Sequence, residues 1–554
     1  MARAVRTWRY LGWRSAVGLI VAGALVIAEA ILSHIYRVGW TGEYGWHRVG
    51  AIVIGALAIV IGAIGIRQMW TGWPSEGAIA SFGRRCAPFL LAAGVYFTAF
   101  VMMGPVPEGD QPHYELESLG LAYEQTRDMT IDYSDPERWR IMFPLGVPNT
   151  QAFVYKPGGE LVTGHNVGLP LLLSLAVPWV EEAGVVAPYK ELAPWNIEII
   201  FLGALAALVL YRILSRLRPG RGVLVTGVWA SVVFSAPMVV YASQIYPEMP
   251  AVLLALISVD ALMRPPTRRT LALGAVAAAL MPWFHVRFLI VAVFLVLALA
   301  FRALAALPPQ QRRAAAGARS AAWAILPLLI SQLVMGVAFQ HWYGSPLPTA
   351  QYGIPQLRQS PSLSASWVSL AGGFWSGQRG WLPFAPVCIL ALGSIGYTLR
   401  RHRMWTLFGL LVVAAYLLGL TIEGTSIGFS FAARYQLILI PFAAIPLLIA
   451  AADLARVRWV FWPLALITLY LAAAIVLEPP PTISGVPGVT GPAYPQLLWP
   501  WFVELWPGVV PSAAHFYPDI GAVAGWSVAL FALAVAGYFA RPRPGASLGG
   551  VGAE

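Results

Sequence analysis

The chain has 554 residues, 58% of them hydrophobic and only 11% charged, with a mean hydropathy of +0.69 and a formal net charge of +11. Soluble domains carry about 25% charged residues, so the composition excludes an ordinary soluble globule and points to a polytopic membrane protein. The positive balance does not indicate a nucleic-acid partner: the basic residues are scattered through short turns, and Lys156 and Lys190 are the only lysines among them.

Apolar runs of spanning length, about 20 residues, follow one another along the chain. They lie at 15–34, 49–66, 86–103, 197–214, 223–241, 249–263, 270–283, 286–302, 321–340, 383–398, 405–421, 435–452, 458–477 and 522–540. This predicts an all-α polytopic membrane protein with about 14 transmembrane helices. The first run follows a basic N-terminus with no clean cleavage site after it, so it reads as a retained helix. Residues 166–180 are apolar but short and are expected to form a re-entrant or interfacial helix. Cys86 and Cys388 suggest neither a disulfide framework nor a metal site.

Charge sets the expected orientation. With the N-terminus in the cytoplasm and sides alternating, the inner connections hold Arg84 and Arg85, Arg216 and Arg218, Arg264 and Arg268, Arg302 and Arg319, Arg400 and Arg403, and Arg456 and Arg458. That pattern satisfies the positive-inside rule. Most acids and nearly all histidines then fall outside, with the large loops at 104–196, 341–382, 422–434 and 478–521. The expected location is the cell membrane, with both termini cytoplasmic and the active site extracellular or periplasmic. The inner side has no Gly-rich phosphate loop, which argues against a cytosolic nucleotide-using site. No internal repeat of the kind many transporters carry is visible.

The outer polar residues are the candidates for chemistry. Asp110 lies just after the run 86–103, in Glu108-Gly109-Asp110-Gln111-Pro112-His113-Tyr114. Pro112 favours a helix start, and the residues after it alternate as an amphipathic helix would on the membrane surface. Asp110 at its N-terminus would stay ionised and is either a solvated loop acid or a general base. His113 and Tyr114 beside it are substrate-contact candidates. Glu248, in a short outer turn, is either a helix-start acid or a cavity residue. Arg287, with His285 near it, and Arg379 and Arg434 are outer arginines against the topological trend. Each alone reads as an interfacial anchor; together they suit an anionic headgroup. His113 and Glu117 share a helix face, and His165 is a further ligand candidate, but no metal motif accompanies them.

The order of these pieces resembles the GT-C superfamily of membrane glycosyltransferases, which use polyprenyl-phosphate sugars. It is most similar to bacterial family-39-like members, the protein mannosyltransferase and aminoarabinose transferase relatives. The stretches that carry the resemblance are Gly109-Asp110-Gln111-Pro112-His113-Tyr114, Gly164-His165-Asn166-Val167-Gly168-Leu169-Pro170, Tyr246-Pro247-Glu248-Met249-Pro250, Tyr343-Gly344-Ser345-Pro346-Leu347-Pro348 and Gly377-Gln378-Arg379-Gly380-Trp381. The resemblance implies a catalytic core over 86–452, with an added helix pair at 1–85 and further C-terminal helices over 453–554. It implies that Asp110 deprotonates an acceptor hydroxyl while the lipid phosphate leaves, with inversion. It implies lipid-phosphate contacts for His285, Arg287 and Arg434 by position and charge only. Where the family often has Asp-Glu, this chain has Asp110-Gln111, which weakens any role for two adjacent carboxylates.

The expected partners are therefore a polyprenyl-phosphate-linked sugar, a glycan, lipid or protein acceptor, and the bilayer. No cofactor is assigned; a divalent metal stays open without a motif behind it. Two other readings stand beside this one: a transporter or flippase of a lipid-linked sugar, and a non-catalytic subunit of an envelope-synthesis complex.

Overall fold

The computed structural model describes residues 78–103, 110–134, 153–155, 161–178, 193–312, 315–348, 350–352, 373–375, 380–423, 433–477 and 520–540. The runs expected at 15–34 and 49–66, nearly all of the loop 478–521, and Arg379 lie outside them.

Each apolar run predicted between 86 and 540 forms helix. Among the described residues, six helices are long and apolar enough to cross a membrane: Cys86–Met103, Pro194–Leu217, Phe288–Ala305, Ala316–Tyr343, Arg403–Leu420 and Ala455–Val476. The chain is a predominantly α-helical membrane protein. In order, the helices used below are α1 (Ala78–Met103), α2 (Gln111–Leu119), α3 (Gly168–Ser174), α4 (Ala193–Leu217), α5 (Gly222–Val233), α6 (Ala236–Tyr241), α7 (Glu248–Leu262), α8 (Arg268–Phe284), α9 (Phe288–Ala305), α10 (Ala315–Tyr343), α11 (Val387–Gly393), α12 (Ile395–Arg401), α13 (Arg403–Glu423), α14 (Ile440–Asp453), α15 (Ala455–Leu477) and α16 (Ile520–Phe539).

Backbone chemistry explains where runs break. The run 223–241 is two helices, because Ser235 is extended (φ −68°, ψ 151°) and Pro237 opens α6. The run 383–398 breaks at Ala385 (φ −141°, ψ 65°), with Pro386 as the N-cap of α11, and again at Ser394 between α11 and α12. Helices α7 and α8 have only 15 and 17 residues. Helix α8 starts on a capping box between Thr267 and Thr270. It ends where His285 turns extended (φ −164°, ψ 139°), which sets Arg287 at the start of α9.

Helix α7 is the centre of the bundle, packed against α4, α8 and α9 and buried around nearly its whole circumference. Its two ends differ. Asp260, near the C-terminus, pairs with Arg216 and Arg264, and Asp453, the last residue of α14, accepts from Arg218 at 3.0 Å and from the Tyr397 hydroxyl at 3.1 Å. Glu248, at the other end, lies about 18 Å away at 1.5 Å per residue. One bundle end thus carries arginines on isolated acids, and the other carries the site described next.

Two features of the segment after α1 depart from the sequence reading. Helix α2 forms where the amphipathic pattern predicted it, but residues 111–118 are buried on every face, so it is packed inside protein rather than laid on the lipid surface. Its polar side chains bond inside the protein, Gln111 to Glu115, Ser118 to the Glu115 carbonyl and Glu117 to Thr163, while Oε2 of Glu115 is buried without a hydrogen-bond partner among the described residues. A short antiparallel ribbon, β1 (Phe153–Tyr155) with β2 (Leu161–Thr163), also covers this region, pairing Val154 with Val162.

Candidate functional site

Asp110 is the N-cap residue of α2, with helical backbone angles (φ −83°, ψ −10°). Its carbonyl accepts from the amides of His113 and Tyr114 at 3.1 and 3.4 Å. Its carboxylate makes no cap bond. It accepts instead from Nη2 of Arg434 at 2.7 Å. Gln111 pins the same helix start to the α6–α7 turn, its Oε1 accepting from the amide of Ile245 at 3.3 Å.

Arg434 follows Ala433, a non-glycine residue at φ +63°. A left-handed backbone at such a residue is costly, and here it turns the chain so that Arg434 points back into the bundle before α14. Nε of Arg434 donates to Oε1 of Glu248 at 3.2 Å, and Nη2 of Arg287 donates to the same oxygen at 2.8 Å. Aromatic faces cover both guanidinium groups: Arg434 lies 4.0 Å from the Tyr246 ring centre and Arg287 4.4 Å from that of Tyr435. Four charged residues from four separate parts of the chain thus form one continuous chain, Asp110–Arg434–Glu248–Arg287. Two are acidic and two basic, so the buried charge is balanced.

Exposure is uneven along this chain. The side chains of Glu248 and Arg287 are 0% and 3% exposed, and that of Arg434 6%, whereas Asp110 keeps 38%. Asp110 is therefore the most accessible of the four. Burial alone would raise its pKa, but the Arg434 charge, helped by His165, holds the carboxyl well below the usual carboxylate range. Burial works against the Arg434 charge, yet Glu248 and Asp110 keep it well above its ordinary value.

An aromatic flank adjoins the carboxylate. His165, in the turn after β2, has its ring centre 4.7 Å from that of Tyr114 and 5.7 Å from that of His113. His113 stacks on Tyr133 and is hydrogen-bonded to its hydroxyl through Nδ1. Burial, then the neighbouring His165, lowers the His113 pKa to about 3. Burial likewise lowers those of His165 and His285, the latter next to the Arg287 charge. Burial thus disfavours the charged form of all three imidazoles.

A second buried arginine braces this flank. Arg127 pairs with Glu117 of α2, donates to the His165 carbonyl at 2.9 Å and to the Tyr343 hydroxyl at 2.9 Å, and lies 4.6 Å from the Trp342 ring centre. It ties α2, the ribbon and the end of α10 together. Gly168 makes the neighbouring contact, because a Cβ there would lie 2.5 Å from the Trp283 carbonyl oxygen. Helix α3 can approach α8 this closely only with glycine.

Of the predicted site residues, Asp110, Glu248, Arg287 and Arg434 come together directly. His285 stands behind them, its Nδ1 accepting from the Arg287 amide at 3.3 Å. His113 and Tyr114 turn toward His165. Glu248, one of the candidate substrate-binding residues and read as a helix-start acid or a cavity residue, is fully buried, and its Oε1 accepts from both guanidinium groups. Arg379 lies outside the described residues. The metal alternative built on His113 and Glu117 does not take shape, since Glu117 is held by Arg127 and by the Thr163 hydroxyl at 2.7 Å. Among the described residues no three His, Cys, Asp or Glu side chains are grouped to hold a metal.

Arg127, Tyr246 and Tyr435 were not singled out in the sequence. Arg127 carries the signal that marked Arg287 and Arg434, an arginine on the expected outer side. The two tyrosines carry none, because aromatic residues near helix ends are ordinary in membrane proteins. No protein-family model matches the sequence, and no curated protein matches it.

Proposed function

We propose that this protein is a membrane glycosyltransferase that moves a sugar from a polyprenyl-phosphate donor to an acceptor hydroxyl, on the outer face of the cell membrane. The observation that carries the reading is the convergence of Asp110, Arg434, Glu248 and Arg287 at one mouth of a helix bundle, with only the carboxylate substantially exposed. A carboxylate facing an opening suits a base for a hydroxyl. Guanidinium groups just behind it suit the negative charge that grows on a departing phosphate.

In this mechanism the acceptor oxygen attacks the anomeric carbon as Asp110 takes its proton. The bond from that carbon to the phosphate oxygen breaks, its electron pair leaving with the lipid phosphate. Attack opposite the leaving group inverts the anomeric centre. Glu248 fixes the two arginines and touches no substrate. The finer architecture goes with this reading: about 14 spans counted at about 20 residues each, a GT-C-like core over 86–452, and a lipid groove open to the bilayer.

The test is incubation of the purified protein with a panel of polyprenyl-phosphate sugars and acceptors, with release of lipid phosphate as the readout. The wild type releases lipid phosphate from at least one donor. Asp110→Asn folds, binds the same donor and releases none.

A further inference from the structure

The contact between Asp110 and Arg434 also decides how an anion can enter. Nε of Arg434 is committed to Glu248 at 3.2 Å, and one face of its guanidinium to the Tyr246 ring at 4.0 Å. Its Nη2 meets Asp110 at 2.7 Å, and Asp110 is the exposed partner of that pair. Glu248 and Arg287 are closed off behind it. A phosphate approaching from the exposed side therefore reaches Nη2 of Arg434 by taking the position of the Asp110 carboxylate.

We propose that the Asp110–Arg434 pair is a phosphate seat filled by the protein's own carboxylate, and that a lipid phosphate binds by displacing Asp110 from Arg434. The lipid as the bearer of that phosphate rests on the glycosyltransferase reading above; the seat itself rests on the geometry. Carboxylate and phosphate present similar oxygen pairs to a guanidinium, so one can replace the other without moving the arginine. The exchange needs little else to move. The Asp110 carbonyl stays bonded to the amides of His113 and Tyr114, and Gln111 stays on Ile245, so rotation of the Asp110 side chain suffices. The displaced carboxylate is not stranded, because it already borders the opening. Arg434 keeps Glu248 throughout.

The consequence is an order of events. Before the donor arrives, Arg434 holds Asp110 ionised and poorly basic. Seating the phosphate takes that guanidinium away, and the same carboxylate becomes free to accept a proton. One exchange both binds the donor and releases the base, so the donor precedes the acceptor.

The seat makes a prediction opposite in sign to that for a simple binding residue: removing the Asp110 charge tightens phosphate binding. The experiment is calorimetric titration of the full-length protein in detergent with farnesyl phosphate, farnesol and inorganic phosphate, for the wild type, Asp110→Asn and Asp110→Ala. Both variants are expected to bind farnesyl phosphate at least about tenfold tighter, the scale of losing one charge-assisted competitor. Farnesol binding stays unchanged, which also reports that the variants are folded. Equal or weaker binding of farnesyl phosphate by both variants, with the wild type binding it, overturns the seat and leaves the glycosyltransferase reading standing. An equal gain for inorganic phosphate keeps the seat and overturns its assignment to a lipid. No binding of farnesyl phosphate by any of the three proteins contradicts the lipid-phosphate donor itself.

Discussion

Glu248 is the residue on which the arrangement turns. One carboxylate oxygen takes both Arg287 and Arg434, deep in the bundle and away from solvent. Buried ion pairs add little net stability, but removing one partner leaves an uncompensated charge. Glu248→Gln is therefore expected to cost roughly 3–5 kcal/mol in unfolding. Replacing Glu248 and Arg287 together by Met should recover part of that loss, as reversible unfolding in mixed detergent would measure. Glu115 offers a second residue-level test. It is fully buried on α2, and burial pushes its carboxyl from the usual 4.5 up to about 8, against an opposing hydrogen bond from Gln111. A raised folded-state value means that folding favours the protonated form. That stability is fully present below about pH 4.5 and is lost as the pH rises toward 8. Glu115→Gln should flatten the melting temperature across this window and melt above the wild type at pH 8 and higher; an unchanged slope would count against it.

At the scale of elements, the site is held by contacts that loops make between helices. Helix α2 is tied to the α6–α7 turn by Gln111 and to β2 and α10 by Arg127. Helix α3 is seated on α8 through Gly168. A Gly→Ala change within a helix ordinarily stabilises by about 1 kcal/mol. Gly168→Ala should do the reverse, by roughly 1–3 kcal/mol, because the new Cβ must push into the Trp283 carbonyl. Thermal melting decides the sign. The same elements mark what could be read from residues alone. The apolar runs located the helices, and Pro112 marked a helix start, because both signals are local; the breaks inside the runs 223–241 and 383–398 were not read. The burial of α2 was not legible: its amphipathic pattern suits a membrane surface and a protein groove equally, and the partners Arg127, Thr163 and Tyr343 are distant in the chain. The charged chain from Asp110 to Arg287 was legible as a set of outer charges. The assignment of Glu248 to the arginines depended on three-dimensional placement. The covering of those arginines by Tyr246 and Tyr435 did too.

For the whole molecule, the two ends of α7 set the orientation. The Asp260 end gathers Arg216 and Arg264, and the Glu248 end holds the enclosed site. In the proposed orientation the arginine end faces the cytoplasm. Thr130 and Arg269 are both exposed, one in the segment after α2 and the other at the start of α8. Thr130→Cys should react with a membrane-impermeant maleimide on intact cells, and Arg269→Cys only after permeabilisation; the opposite pattern would invert the protein and remove lipid-linked sugars on the outer face as its donors. The central claim is that the exposed carboxylate at the head of this charged chain performs glycosyl transfer. Its most direct measurement is lipid-phosphate release from a panel of polyprenyl-phosphate sugars by purified wild type and Asp110→Asn. The account predicts release by the wild type and none by a folded, donor-binding Asp110→Asn; release by Asp110→Asn at the wild-type rate, or no donor consumed by the wild type, would contradict it.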